Sequence, residues 1–400
     1  MNAADTAFIM VCAALVMFMT PGLALFYGGM VRAKNVLATV MHSFILLGVV
    51  SILWAVVGYS LAFGSGIGGV FGGFNFAFLR GVGMDTAGSP ASNLPHLVFM
   101  IFQCMFAVIT PALITGAFAE RMKFAGFLVF SCLWLLFVYC PMCYWVWGGG
   151  WMGAMGALDF AGGAVVHMSS AAAALAACIV VGPRKGWGKE PFIPHNLPMT
   201  LLGAGILWFG WFGFNAGSAL AANGVAGNAF VTTHMAAAAA AVSWIAAEWL
   251  HGGKATTLGA ASGAVAGLVA ITPAAGFVTP MAAIVIGLLA GVVCFGGIML
   301  KSRFGYDDAL DVVGIHGVGG TLGALCTGVF ATIGAKGLLA GNPRQLWIQF
   351  VSVVATWGFC FVASFVLLKL VDATIGLRVG REDEMRGVDV SEHSEAGYQL

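Results

Sequence analysis

Apolar residues run through this chain in long, nearly uncharged blocks, eleven of them of a length that suits a bilayer: 6–31, 38–63, 96–119, 124–147, 161–181, 197–217, 230–250, 256–273, 278–300, 313–333 and 345–371. Crossing a hydrocarbon core of about 30 Å takes about 20 such residues in a helix, because every backbone polar group must be satisfied inside the helix itself. The eighth block is short and the tenth is rich in glycine. The pattern predicts an all-α integral membrane protein with eleven transmembrane helices, and the odd count puts the termini on opposite sides.

Lys and Arg then give an orientation, since cytoplasmic connections carry the excess of positive charge. The connections after spans 1, 3, 5, 7 and 9, with the C-terminal segment, hold fourteen: Arg32, Lys34, Arg121, Lys123, Arg184, Lys185, Lys189, Lys254, Lys301, Arg303, Lys369, Arg378, Arg381 and Arg386. The other side holds three, Arg80, Lys336 and Arg344. The expectation is an outside N-terminus, a cytoplasmic C-terminus and a multi-pass protein of the cell membrane. Residues 1–5 lack a positive region and the first apolar block is long, so a cleavable signal peptide is not expected. The short neutral N-terminus is translocated directly, or a leader is absent from this chain.

Spans 1–5 and 6–10 form two sets of five, and an odd set placed twice in one membrane has opposite topology, the arrangement of inverted-repeat transporters. The fifth span of each set opens on an aspartate followed by glycine and a histidine, Asp159-FAGGAVV-His167 and Asp311-VVGI-His316. This predicts a transmembrane domain over 1–375, with repeat one at about 6–181, repeat two at about 197–333 and a last helix at about 345–371. A charged tail, 376–400, follows.

Composition narrows the function. Hydrophobic residues make up 60% and charged residues 8%, against about 25% charged in soluble domains. The net charge of +1 leaves no basic footprint for nucleic acid. The nine cysteines lie almost all in apolar stretches, where a thiol packs as a small hydrophobe. Cys140 and Cys143 form the single C-x-x-C, with no second pair or ligand histidines beside it. No metal-ligand spacing, nucleophile elbow or phosphate-cradling loop is present, so no cofactor and no enzymatic activity are expected. The Gly-x-x-x-Gly matches at Gly259, Gly263 and Gly267 read as close helix packing.

Ionisable groups inside spans are costly and face a bundle interior or a water-filled cavity. The main ones are His42, His167, His234 and His316. For His42 and His234 a neutral imidazole bonded to a neighbouring carbonyl is the favoured reading; His167 and His316 stand out by their matching places in the two repeats. Asp159, where span 5 begins, reads first as a helix cap for free amides and second as a ligand contact. Aromatic residues cluster at Trp145, Trp147 and Trp151, and at Trp208, Phe209, Trp211, Phe212 and Phe214. An interfacial belt or lipid contact and a cation-π site worth about 2 kcal/mol when desolvated both fit that spacing.

The motif DFAGGAVVHMSSAAAALAA (159–177) resembles the signature of the ammonium transporter family (Amt/Mep, relatives of the Rh proteins). The likeness extends in order through PGLALFYGGMVRAKN (21–35), FQCMFAVITPALITGAFAERM (102–122), PHNLPM (194–199), GWFGFNAGSA (210–219), GIHGVGG (314–320) and GLRVGREDEMRGVDVSEHSEAGY (376–398). Tyr27 in a matching FYGG, and the lack of Rh-type substitutions at the aromatic site, favour the Amt branch of bacterial and archaeal type. The resemblance implies a homotrimer of eleven-helix subunits, each with its own pore between the two repeats. It also implies an outer recruitment site of Phe106, Trp147 and Ser218, a gate of Phe106 and Phe214, twin pore histidines His167 and His316, and Asp159 as the buried carboxylate that shapes the recruitment site. Residues 376–400 resemble the family tail that supports gating and docks PII-type regulators; a solvated charged tail is the plainer reading. The function expected is ammonium transport, with an ammonium sensor of slow transport as the alternative. One feature conflicts with helix geometry. At about 1.5 Å per residue, His167 lies about 10 Å below the outer edge, whereas His316 falls a few residues from the inner end of span 10. Contact between them requires span 10 to begin deeper in the protein, or an inner vestibule to reach upward.

Overall fold

The computed structural model describes residues 1–398. Among the described residues ten helices are long and apolar enough to cross a membrane: α1 (Ala3–Met30), α2 (Ala33–Phe63), α3 (His96–Phe118), α4 (Phe124–Met155), α5 (Gly163–Val181), α6 (Leu197–Gly217), α7 (Gly224–Gly252), α9 (Pro280–Phe304), α10 (Val313–Phe330) and α11 (Pro343–Thr374). The short eighth block forms α8 (Thr257–Ile271), an apolar helix buried from Ala261 to Ile271. With it the count is the eleven expected. Helix ends shift where capping, not apolarity, sets them: α7 starts six residues before the apolar block because Asn223 accepts from the amides of Val225 and Ala226, and α9 continues through charged Lys301 and Arg303.

Helices α3 and α5 form the inside of the bundle, while α9 and α11 leave most of their surface open. The second half packs through small residues. A methyl group on Gly263 or Gly267 of α8 would strike the backbone of Ala240 or Ala236 on α7, so glycine is what lets these helices touch. The connection 64–95 carries a two-stranded hairpin, β1 (Gly66–Ile67) against β2 (Phe71–Gly72), which the apolar pattern does not announce.

The tail does not hang free. Helices α12 (Arg381–Arg386) and α13 (Val388–His393) lie against the connections on the same face. Asp389 accepts from the amides of Leu37 and Ala38 at 3.0 and 2.8 Å, and Glu392 accepts from Phe124 at 2.8 Å. Lys34 donates to the Glu384 carbonyl, and Arg378 pairs with the Glu384 carboxylate at 2.8 Å. Beside them Arg184 grips Asp307 through two nitrogens at 2.9 and 2.8 Å. Burial alone raises the Asp307 carboxyl, but hydrogen bonds from Arg184 and the charges of Arg121 and Arg184 outweigh it and hold the group below its ordinary range.

Candidate conduction pathway

Helices α5 and α10 both begin inside the protein, each after a non-helical segment. Asp159 ends the first segment. Its carboxylate accepts from four successive amides, Gly162, Gly163, Ala164 and Val165, at 2.9, 2.5, 2.8 and 3.2 Å. Such a carboxylate satisfies the donors a helix start leaves over and sits at the positive end of its dipole. Capping, the first reading, is therefore present. The Asp159 carbonyl also accepts from Trp147 Nε1 at 2.9 Å, so the residue that starts α5 orients the indole as well.

The counterpart in the second repeat is Asp308, not Asp311. Asp308 accepts from the amides of Val312 and Val313 at 3.1 and 2.7 Å and stands eight residues before His316, as Asp159 stands eight before His167. Asp311 instead adopts a left-handed φ of 62° and pairs with Lys301. The sequence pattern places Asp311 opposite Asp159, but the spacing to the histidine is what the two helix starts share, and that spacing selects Asp308. Burial, and then the Asp311 charge, push the Asp308 carboxyl up to about 6.

The depth conflict is resolved by the first of the two alternatives. In the antiparallel pair Gly320 faces His167 and Gly317 faces Ala171, so Val313 lies opposite a residue near 175 and not opposite Val181. Helix α10 thus begins roughly six residues, or about 9 Å, inside the end of α5. Leu310 and Val312 fill the space beneath it as buried chain. The result is direct contact, with His316 Nδ1 at 3.2 Å from His167 Nδ1. The two rings are 5.2 Å apart and tilted by 26°. One nitrogen donates and the other accepts, so the pair shares a proton between neutral rings.

Above the histidines stand the aromatic residues. Phe106 of α3 and Phe214 of α6 pack at 4.4 Å between ring centroids, tilted by 43°. Phe106 meets Trp147 edge to face at 5.9 Å. These residues separate two spaces. One is an open hollow of about 310 Å³ lined by Phe106, Trp147 and Ser218, together with Gln103, Phe160 and Leu220. Ser218 donates to the Phe214 carbonyl at 2.8 Å, which leaves its oxygen lone pairs free to accept. The other, about 10 Å³, lies among Phe214, Trp211, His167, His316 and aliphatic residues such as Leu23, Ile109 and Val265; it has room for about one water-sized molecule.

Sequence reasoning left two members of this pathway unassigned. Trp211 stacks on His167 at 5.5 Å and 26° and is locked by its Nε1–H donating to Thr272 Oγ1 at 2.9 Å. Gln103 brings a buried side-chain oxygen without a partner among the described residues, and a polar side chain one turn before Phe106 in an apolar span was the signal. Other candidates fall outside the pathway. His42 is ringed by Phe118, Phe124 and Phe127, and His234 lies on the exterior against Trp208; both pack on rings and not on the expected carbonyl. Trp145 is buried and donates to the Val70 carbonyl, so it does not belong to an interfacial belt, whereas Phe209 is exposed as a lipid contact would be. Cys140 and Cys143 are buried, and among the described residues no metal-binding group of His, Cys, Asp or Glu occurs.

A multi-pass helical membrane protein whose two inverted halves meet at a pair of bonded imidazoles, beneath an aromatic constriction and an open hollow, has the architecture of a membrane transporter. The chain belongs to the ammonium transporter family: the model of the Ammonium Transporter Family matches residues 7–398. It is 54% identical to an ammonium transporter of Bacillus subtilis (strain 168) over 100% of this chain and 99% of the relative. Identity to ammonium transporter Amt1 of Archaeoglobus fulgidus is 48%, covering 100% of each. Among solved structures, Saccharomyces cerevisiae Mep2 superposes with a TM-score of 0.90 at 36% identity, over 96% of this chain and 88% of that one. A structure described as a sensor Amt protein superposes with a TM-score of 0.90 at 30% identity, over 98% of each chain.

Proposed function

We propose that this protein takes up ammonium at the open hollow, strips its proton near the aromatic constriction and passes ammonia along the two histidines. The observation that carries the reading is the His167–His316 contact, Nδ1 to Nδ1 at 3.2 Å, inside a space too small and too apolar for a hydrated ion. In this reading Phe106, Trp147 and Ser218 recruit the cation: two aromatic faces replace part of its lost water and the Ser218 oxygen accepts one N–H. Phe106 and Phe214 act as the gate, and Asp159 supports the recruitment site through the indole it orients.

Energetics favour the neutral form in the narrow part. With a pKa of roughly 9, between the α-amino and lysine references, ammonium gives up its proton at pH 7 at a cost of about two units, near 3 kcal/mol. Moving the intact cation through a dry passage costs far more, by Born arguments up to tens of kcal/mol. Potassium is of similar size but has no proton to lose, so deprotonation supplies a selectivity that the dimensions of the passage alone would not. The bonded imidazoles hand ammonia from nitrogen to nitrogen, and the same bond offers a separate route for the proton.

The wider arrangement follows the charge count and the family likeness: an outside N-terminus, a cytoplasmic tail after a transmembrane domain of 1–375, residence in the cell membrane and assembly as a homotrimer. The tail, bonded through Glu384 to Lys34 and to the Lys185 amide, is where a PII-type regulator would dock. The test is current recording on a supported membrane with ammonium pulses against potassium pulses. His167→Leu and His316→Leu each abolish selective ammonium current; full selective current in both single variants refutes the relay. Ammonium binding without any current in the unaltered protein would favour the sensor.

A further inference from the structure

A polar pocket beside the tail takes no part in the pathway. It measures about 350 Å³ and draws on three stretches of chain that are distant in sequence. Arg32 and Lys34 come from the junction of α1 and α2, Lys185 and Glu190 from the connection between α5 and α6, and Arg381 and Glu384 from α12. Four cations thus stand against two carboxylates.

Some of these charges are already matched. Glu384 accepts from the Lys185 amide at 2.6 Å and from Arg378, which lies outside the pocket, at 2.8 Å. Arg32 turns Nε and one Nη onto Glu120 at 3.1 and 2.8 Å. The rest are not matched. Lys34 Nζ bonds two carbonyl oxygens, of Glu384 and Met385, which leaves its charge uncompensated and one of its three N–H donors free. Lys185 and Arg381 are exposed, and neither is in an ion pair among the described residues. Against them stands Glu190, also exposed, whose carboxylate folds over the Gly186 turn so closely that a methyl group there would meet Oε2 at 2.9 Å. Three uncompensated cations and one carboxylate leave the pocket with an excess of two positive charges.

We propose that this pocket binds one phosphate dianion, free or as a small phosphate ester, between Lys34, Lys185 and Arg381. Charge decides the class of ligand, because a phosphate monoester carries about −1.5 to −2 at pH 7 and so offsets the excess. Geometry agrees, since the fork of an arginine and the compact ammonium of a lysine are the side chains that hold phosphate oxygens. The lining contains no aromatic ring, so a nucleotide finds no surface on which to stack its base and gains nothing over simple phosphate. The pocket is complete only while Arg381 is docked. By mass action the anion then favours the docked tail, joining it to the two connections. The site is independent of the pore chemistry, and its occupancy is read without any current, so it fails or stands separately from the ammonium pathway.

The test is phosphorus NMR of inorganic phosphate and of glycerol phosphate added to the purified chain in detergent at fixed ionic strength. Both resonances are expected to broaden in a saturable way. Lys185→Gln and Arg381→Gln each weaken binding about ten-fold, the effect of losing one charge-assisted hydrogen bond. Because neither side chain is in an ion pair, the unfolding midpoint without phosphate stays that of the parent. Glu190→Gln removes the opposing charge and tightens binding about three-fold. Trypsin cleavage after Arg386 slows about ten-fold when phosphate is at ten times its dissociation constant. Broadening that does not saturate overturns the proposal, as does undiminished binding in the Lys185→Gln, Arg381→Gln double variant or weaker binding in Glu190→Gln. Displacement of phosphate by phosphatidylglycerol added to the micelles overturns it too, since the pocket would then hold a lipid headgroup. Cleavage that saturating phosphate leaves unchanged overturns the link to the tail.

Discussion

Replacing Asp159 by alanine removes the one acceptor of four buried amides, those of Gly162, Gly163, Ala164 and Val165. Each buried donor left without a partner costs about 1–3 kcal/mol, so the sum is at least about 4 kcal/mol even when each contributes the minimum. The loss of a negative charge at a helix start adds about 0.3–2 kcal/mol. Asp159→Asn keeps one oxygen, enough for two of the four amides, and turns an NH2 group toward the other two; it falls between the parent and the alanine variant. The assay is thermal unfolding in detergent, where the alanine variant unfolds on the order of 5 °C lower or more, paired with uptake at low ammonium. Uptake suffers as well, because the Asp159 backbone carries the bond that orients Trp147. An alanine variant that unfolds within about 1 °C of the parent would refute the account of how α5 begins.

Two further outcomes follow from the site. Phe106→Ala and Trp147→Leu leave the histidine pair in place but remove aromatic faces worth about 2 kcal/mol to a desolvated cation, so ammonium-driven current falls much more at low than at high concentration; an equal loss at all concentrations would count against recruitment. Asp308→Asn separates the two carboxylates that precede His316. The Asp308 carboxyl titrates near 6 in the fold, above its value of about 3.9 in an unfolded chain. The folded form therefore holds the extra proton between those values, and the stability this gives is full below pH ~4 and lost as the pH rises through 6. Unfolding midpoints of the parent measured across pH 4–7 show that decline and those of Asp308→Asn do not, whereas Asp311→Asn, which loses an ion pair with partly exposed Lys301, shifts the midpoint less than Asp308→Ala does.

The apolar blocks located all eleven helices, including the short eighth, because a bilayer demands that long uncharged stretches satisfy their own backbone. The same demand made four histidines conspicuous, and the matching motifs singled out Phe106, Trp147, Phe214 and Ser218. Their mutual distances were not legible. Hydropathy averages over many residues and does not register where within a block the helix begins, so the deep starts of α5 and α10 were hidden. Those starts depend on the carboxylates of Asp159 and Asp308 folding back on amides several residues ahead.

Sequence alone determined that this chain crosses a membrane many times, in two sets of five spans and one more, with a histidine near the start of the last span in each set. Tertiary structure decided that His167 and His316 touch, that Trp211 and Gln103 line the two spaces beside the aromatic constriction, that Asp308 and not Asp311 mirrors Asp159, and that the charged tail is clamped to the connections. The physical reason is that burial of apolar surface is additive along a chain and needs no partner to be recognised, whereas a hydrogen bond between rings 149 residues apart exists only once the packing of every helix between them has set their heights.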